Sequence, residues 1–225
     1  MNNKALVAAL LLSSACLIQA APIVAYDYPS LATAGGGANF GNQSFGQALG
    51  MDFNVNQAIT IFSLGAFDSG QDGYQSTITV QLFNRDTQLA VSPLITMSSS
   101  DTLINGGRFQ TLATALNLAA GFHGTIVAYG YSASEFNGNV NSGGTFNPAS
   151  LNNLGGAITF QNTASFGGFG YPSTSFVGAT NQFGAGSFTF DLTTTSTTPE
   201  PATLGMIGVG ILAMGGVARS RRRKS

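Results

Sequence analysis

Hydrophobic and polar positions alternate through the middle of this chain with a period of two. Leu49, Met51, Phe53 and Val55 occupy every second position, with Gly50, Asp52 and Asn54 between them. Ile78, Val80 and Leu82 alternate in the same way with Thr77, Thr79, Gln81 and Phe83. Side chains on an extended strand point to opposite faces in turn, so each set predicts a strand with one face on a core and the other toward solvent. Ala58 to Phe67 is a denser apolar run rich in β-branched residues and predicts a central strand. Asn84-Arg85-Asp86-Thr87-Gln88 reads as a polar turn before a strand near Leu89 to Met97, and Pro93 makes that strand an edge or a bulge. With Arg108 to Leu112, Thr125 to Ser132, Ala157 to Gln161 and Gly186 to Leu192, the pattern predicts about eight strands and no helical stripe. The expected fold class is therefore all-β, a single β-sandwich or jelly roll over residues 22–192.

From Phe136 to Ala185 the chain turns Gly-, Asn- and Phe-rich and predicts long loops around one or two strands. Glycine-spaced rings such as Phe166, Phe169 and Tyr171 read as loop residues tucked onto the core, with an aromatic ligand platform as the alternative. No repeat of fixed period is present, which argues against a solenoid.

The two ends differ from this middle. Residues 1–21 read as a secretory signal peptide: Lys4 supplies the positive start, Ala5 to Leu12 and Cys16 to Ile18 the apolar segment, and Ala20 and Ala21 the small residues for signal peptidase. A lipoprotein reading would start the mature chain at Cys16, but Ser13 stands where Leu is wanted; an uncleaved membrane anchor is the other alternative. At the far end a polar linker, 193–198, leads to Pro199-Glu200-Pro201 and then to Ala202–Ala218, seventeen residues without a charge. As a helix at 1.5 Å per residue this segment reaches roughly 26 Å, slightly less than the roughly 30 Å hydrocarbon core. Its glycines weaken a helix in water and are tolerated in lipid, where backbone groups must pair internally. Arg219, Arg221, Arg222, Arg223 and Lys224 follow and form a basic stop that stays cytoplasmic. The body is then expected outside the inner membrane.

Pro199-Glu200-Pro201-Ala202-Thr203, one hydrophobic segment and an arginine cluster, in that order, resemble the PEP-CTERM sorting signal of exported bacterial proteins. The resemblance implies that 199–225 is a temporary inner-membrane anchor, recognised through Pro199, Glu200 and Pro201 and removed by an exosortase. It also implies a cell-envelope, exopolysaccharide or biofilm-matrix setting, with the product secreted or held at the surface. Two prolines keep the motif extended, which suits a protease cleft. The alternative is a plain C-terminal membrane anchor. Leu49 to Val55, Leu64 to Asp68, Gly107-Arg108-Phe109 and Ala185 to Phe188 resemble an uncharacterised β-domain found in such exported proteins. That likeness implies a jelly roll and no particular activity.

Charge narrows the partners. Six of the eight Lys and Arg lie in the two ends, leaving Arg85 and Arg108 in a body with eight acidic residues, a net of −6. Nucleic acid is excluded as a partner on that ground, because phosphate binding needs clustered cations. The single cysteine, Cys16, lies in the leader, so the body has no disulfide, no thiolate nucleophile and no cysteine-held zinc.

Candidate chemistry is sparse. His123 is the lone histidine and reads as an exposed turn residue; no Gly-x-Ser-x-Gly elbow accompanies it for a nucleophilic triad. A glycan hydrolase needs two carboxylates across a bond, and the sequence does not reveal which of Glu135 and the seven aspartates converge. Asp68-Ser69-Gly70-Gln71-Asp72-Gly73 has oxygen donors at its first and fifth positions and glycine at its sixth, as calcium loops do, but lacks the third ligand and the distal Glu. Two readings stand: a loose calcium site on Asp68 and Asp72, or a Gly-Asp turn. Tyr129 and Tyr131 are expected to share one strand face, with Tyr74 near the aspartate loop, which would serve sugar binding or ordinary packing. The expected role is non-catalytic, structural or interacting. A carbohydrate-binding module for matrix polysaccharide is the alternative and a glycan hydrolase the third.

Overall fold

The computed structural model describes residues 21–29, 39–144 and 146–193. The leader through residue 20, the linker from 194, the Pro199–Pro201 motif, the apolar segment 202–218 and the basic tail lie outside them. The chain divides into two units at Leu192, and the first is the body.

The body is all-β, with no helix among the described residues. Its strands, in chain order, are β1 (Ile23–Val24), β2 (Tyr26–Asp27), β3 (Leu49–Val55), β4 (Ile59–Phe67), β5 (Thr79–Asn84), β6 (Ile95–Thr96), β7 (Thr102–Ile104) and β8 (Gly107–Leu118). There follow β9 (His123–Tyr129), β10 (Gly138–Asn139), β11 (Ser150–Leu151), β12 (Ile158–Phe166), β13 (Thr174–Val177), β14 (Phe183–Gly184) and β15 (Gly186–Leu192). A five-stranded sheet runs β1-β15-β4-β8-β7 and a six-stranded sheet β13-β12-β3-β9-β5-β6; the pairs β10-β14 and β11-β2 stand apart. All pairing is antiparallel.

Alternation builds the core. In β3, Leu49, Met51, Phe53 and Val55 join the core cluster, as do Val80 and Leu82 of β5 and Ile126 and Ala128 of β9. Ile59, Ile61, Leu64 and Ala66 of β4 and Phe188 and Phe190 of β15 complete it from the other sheet. Phe188 packs against Phe53 of the facing sheet at 4.9 Å between ring centres, tying the layers together, and against Phe190 of its own strand at 5.5 Å. Truncating one of these buried rings to Ala costs about 3–5 kcal/mol.

The outer face of the six-stranded sheet carries a second, smaller apolar group: Ala48, Phe83, Val127 and Tyr129, with Tyr171 packed on it. The loop after β12 folds back over this face. Its hold is a reciprocal backbone pair, Ala48 N–H to Gly168 O and Gly167 N–H to Ala48 O, both 3.0 Å.

Several expectations change. Tyr129 and Tyr131 do not share a face. Gly130 between them has φ +92°, which breaks the alternation. Tyr129 stays on the outer face, while Tyr131 turns into the core and donates its hydroxyl to Phe67 O at 3.1 Å. The expected strand 125–132 therefore ends at Tyr129. Of the run Leu89 to Met97, only Ile95–Thr96 is a strand, at the sheet edge, because Pro93 has no N–H for a ladder. The strand expected at 108–112 extends to Leu118, and the one expected at 157–161 runs to Phe166 through a bulge opposite β3. The stretch 136–185 holds five strands or parts of strands rather than one or two, four of them no longer than four residues.

Candidate functional site

The aspartate loop is where the buried charge lies. Asp68 directly follows β4 and is wholly buried. Its Oδ2 accepts from Arg108 Nε at 2.6 Å, and both carboxylate oxygens face Gly73 N–H, at 3.3 and 3.2 Å. Burial pushes its pKa up against the pull of Arg108 and the Gly73 N–H. Asp72 is exposed. Glu135, distant in sequence, closes the loop from outside: Oε1 accepts Ser69 N–H and Oε2 accepts Gln75 N–H, each at 2.9 Å. Glu135 is only 1% exposed, and burial, opposed by those two N–H groups and reinforced by Asp68 and Asp72, raises its pKa to about 7. Tyr74 donates to Ala66 O at 2.8 Å beneath the loop. The calcium candidates Asp68 and Asp72 thus stand in a loop whose buried carboxylate already holds the guanidinium of Arg108. Among the described residues no group of three or more His, Cys, Asp or Glu is arranged to hold a metal.

A second ion pair sits on the outer face of the six-stranded sheet. Asp52 Oδ2 accepts from the Thr163 hydroxyl at 2.5 Å and lies 3.5 Å from Arg85 Nη1, whose other terminal nitrogen donates to Asn54 Oδ1. Asp52 Oδ1 is buried with no partner. His123 begins β9 rather than a turn, and its Nδ1 lies 3.0 Å from Asp86 Oδ1 in an exposed pair. Among the described residues no hydroxyl nucleophile is bonded to it.

Two of the concave features among the described residues are lined in part by the Gly-, Asn- and Phe-rich stretch. One is a shallow groove of ≈ 580 Å³ along the outward side of β5, floored by Thr77, Thr79 and Gln81 and flanked by Leu94, Tyr129 and Phe169. Phe169 is 79% exposed and lies 6.5 Å from Tyr129, ring planes 15° apart. Its loop is pinned by the Tyr129 hydroxyl, which donates to Gly170 O at 2.5 Å. The other is a cavity of ≈ 210 Å³ walled by phenylalanines and side-chain amides, including Phe166, Phe176, Asn139 and Gln182. Neither contains Asp68 or Glu135 in its wall. The sequence signal for both was the Gly-, Asn- and Phe-rich stretch, which by itself gives no pairing of residues.

Among the described residues no helix is long and apolar enough to cross a membrane. No curated protein matches the chain. Residues 197–223 match the family model of the PEP-CTERM protein-sorting motif, spanning the Pro199-Glu200-Pro201 triplet, the apolar segment and Arg219 to Arg223. That motif implies exosortase as the processing partner and an exported, membrane-transiting product. In sequence order, then, an all-β body is followed by a segment that matches the PEP-CTERM protein-sorting motif.

Proposed function

We propose that this protein is made as an exosortase substrate and that its body, once outside the inner membrane, has a non-catalytic structural or interaction role in the cell envelope or extracellular matrix. The sorting motif at 197–223 carries this reading, because it begins a few residues after the last strand of the body. The state of the buried carboxylates supports the non-catalytic part. Among the described residues Asp68 and Glu135 are the carboxylic acids with raised pKa values, and such groups are the usual candidates for proton transfer. Here their oxygens are engaged by Arg108 and by loop N–H groups, away from both concave features, which is the use a fold makes of them. Intact-mass analysis of the protein from its native host is the test. A mature species lacking the leader and the residues beyond the Pro-Glu-Pro motif is expected; retention of Gly205 to Ser225 refutes exosortase processing.

A second reading, a carbohydrate-binding module for matrix polysaccharide, is favoured by one observation. An exposed ring on a pinned loop, Phe169, flanks a groove floored by hydroxyl and amide side chains. Sugars present an apolar C–H face and a polar rim, and such a surface suits both. A glycan array separates the readings: reproducible binding to one polysaccharide replaces the purely structural role.

A further inference from the structure

The smaller cavity has a wall of unusual order. Phe45, Phe166, Phe176 and Phe183 form one side, each ring meeting the next edge-on at 6.1, 5.7 and 6.2 Å between centres. The other side is made of primary amides: Gln43, Asn139, Asn141 and Gln182. No ionisable side chain lines it.

The amides are locked in orientation by one another. Gln43 Oε1 accepts from Asn137 Nδ2 at 3.0 Å and from Asn139 Nδ2 at 3.1 Å. Asn139 Oδ1 accepts from Gln182 Nε2 at 2.6 Å and from Asn141 N–H at 3.0 Å. Gln182 Oε1 accepts from Asn141 Nδ2 at 3.2 Å and from Ala179 N–H at 3.1 Å. Each of these oxygens is held by two donors, so turning over any one amide would set donor against donor. Besides Asn137 Oδ1, which is buried without a partner, two atoms of the amides lining the cavity are left over. Gln43 Nε2 has hydrogens to donate and Asn141 Oδ1 has lone pairs to fill, and neither has a partner among the described residues.

The chemistry that fits is restricted. A charged ligand would find no counter-charge in an apolar wall and would bear the desolvation cost alone. A purely apolar ligand would cover the free amide atoms without satisfying them, at about 1–3 kcal/mol for each group. A pyranose ring matches both halves: C–H groups against the rings, hydroxyls that both donate and accept against Gln43 and Asn141. The size agrees. The cavity of ≈ 210 Å³ far exceeds the roughly 10–15 Å³ that admits a water and is below the roughly 300 Å³ where sites for drug-sized ligands begin. One ring fits, with the rest of a chain outside.

We propose that this cavity binds one neutral pyranose unit of an extracellular polysaccharide, with Gln43 Nε2 donating to one hydroxyl and Asn141 Oδ1 accepting from another. The proposal rests on the carbohydrate-binding reading and assigns it a site apart from the groove beside Phe169. Saturation-transfer NMR on the full chain in detergent, with the methyl glycosides of glucose, galactose, mannose and N-acetylglucosamine as probes, tests it. At least one glycoside is expected to receive saturation from the phenylalanine rings. Gln43→Glu keeps the acceptor oxygen and removes the donor; Asn141→Ala removes the acceptor at an exposed position. Each is expected to weaken binding about three- to tenfold, the equivalent of one hydrogen bond, and the Asn141 variant, which also gives up its bond to Gln182 Oε1, is expected to keep a single cooperative melting transition. No transfer to any of the four at about 10 mM, far weaker than the roughly millimolar range of a −4 kcal/mol site, overturns the proposal. So does binding undiminished in both variants. A positive glycan array with undiminished binding in both variants places the sugar elsewhere and leaves the module reading standing.

Discussion

Replacing Glu135 by glutamine isolates the cost of keeping a carboxylate inside the aspartate loop. In the folded protein the group titrates at about 7, against an ordinary value of 4.5, and burial is the main cause. The folded state therefore holds this proton more tightly than the unfolded chain does. The contribution to stability is fully present below about pH 4.5 and is lost as pH rises through 7. At 1.36 kcal/mol per unit, a difference of this size corresponds to roughly 3 kcal/mol at most between the two limits. Glutamine abolishes the titration but has only one acceptor for the two N–H groups of Ser69 and Gln75, and its own NH2 faces the second. The loss of that bond costs about 1–2 kcal/mol at any pH. Urea unfolding of both proteins at pH 5, 6, 7 and 8 reads the balance. At pH 5 the variant should be the less stable by about 1–2 kcal/mol. By pH 8 the gap should close or reverse, as the native protein ionises Glu135 against its surroundings. Asp68 stays in both proteins, so of its titration only the coupling to Glu135 enters the difference. A stability gap that does not change with pH refutes the reasoning.

Arg108→Met leaves the wholly buried Asp68 without its cation and should cost about 3–5 kcal/mol in urea unfolding at pH 7, with Asp68→Asn added on top recovering part of it. Gly130→Ala puts a side chain where φ is +92° and its Cβ would lie 2.0 Å from Thr77 O, so a loss above about 2 kcal/mol is expected in thermal unfolding.

Much of the sandwich was legible because β3, β5 and β15 obey a period of two without interruption. Leu49, Met51, Phe53 and Val55 are buried as a set, and Gly186 to Leu192 is a strand over the expected residues. Legibility failed where the backbone leaves the pleat. The bulge between Phe160 and Ala164 and the left-handed Gly130 each reset which residues face inward. The long β8 was read short because its middle is exposed on both sides, Thr111 through Ala115 carrying only Leu112 into the core. Phe83 faces outward as its spacing predicts, yet Tyr171 covers it at 5.9 Å, a contact made by a loop that no local pattern announces. The aspartate loop was visible as a motif, but its partners Arg108 and Glu135 come from 40 and 66 positions away. The amide-walled cavity joins Gln43 to Asn137 and Asn139 across 94 and 96 positions. Periodicity reports what one element does; it is silent on which elements meet.

The pairing of Ile23 with Phe190 brings the first and last strands of the body side by side. The last strand is also interior to its sheet, hydrogen-bonded to β4 along its other flank. Synthesis delivers the chain from its beginning, so until residues 186–192 are made the five-stranded layer has a gap where Phe188 and Phe190 belong. Only when residues 186–192 emerge can that layer be closed and the inner rings be shielded from water.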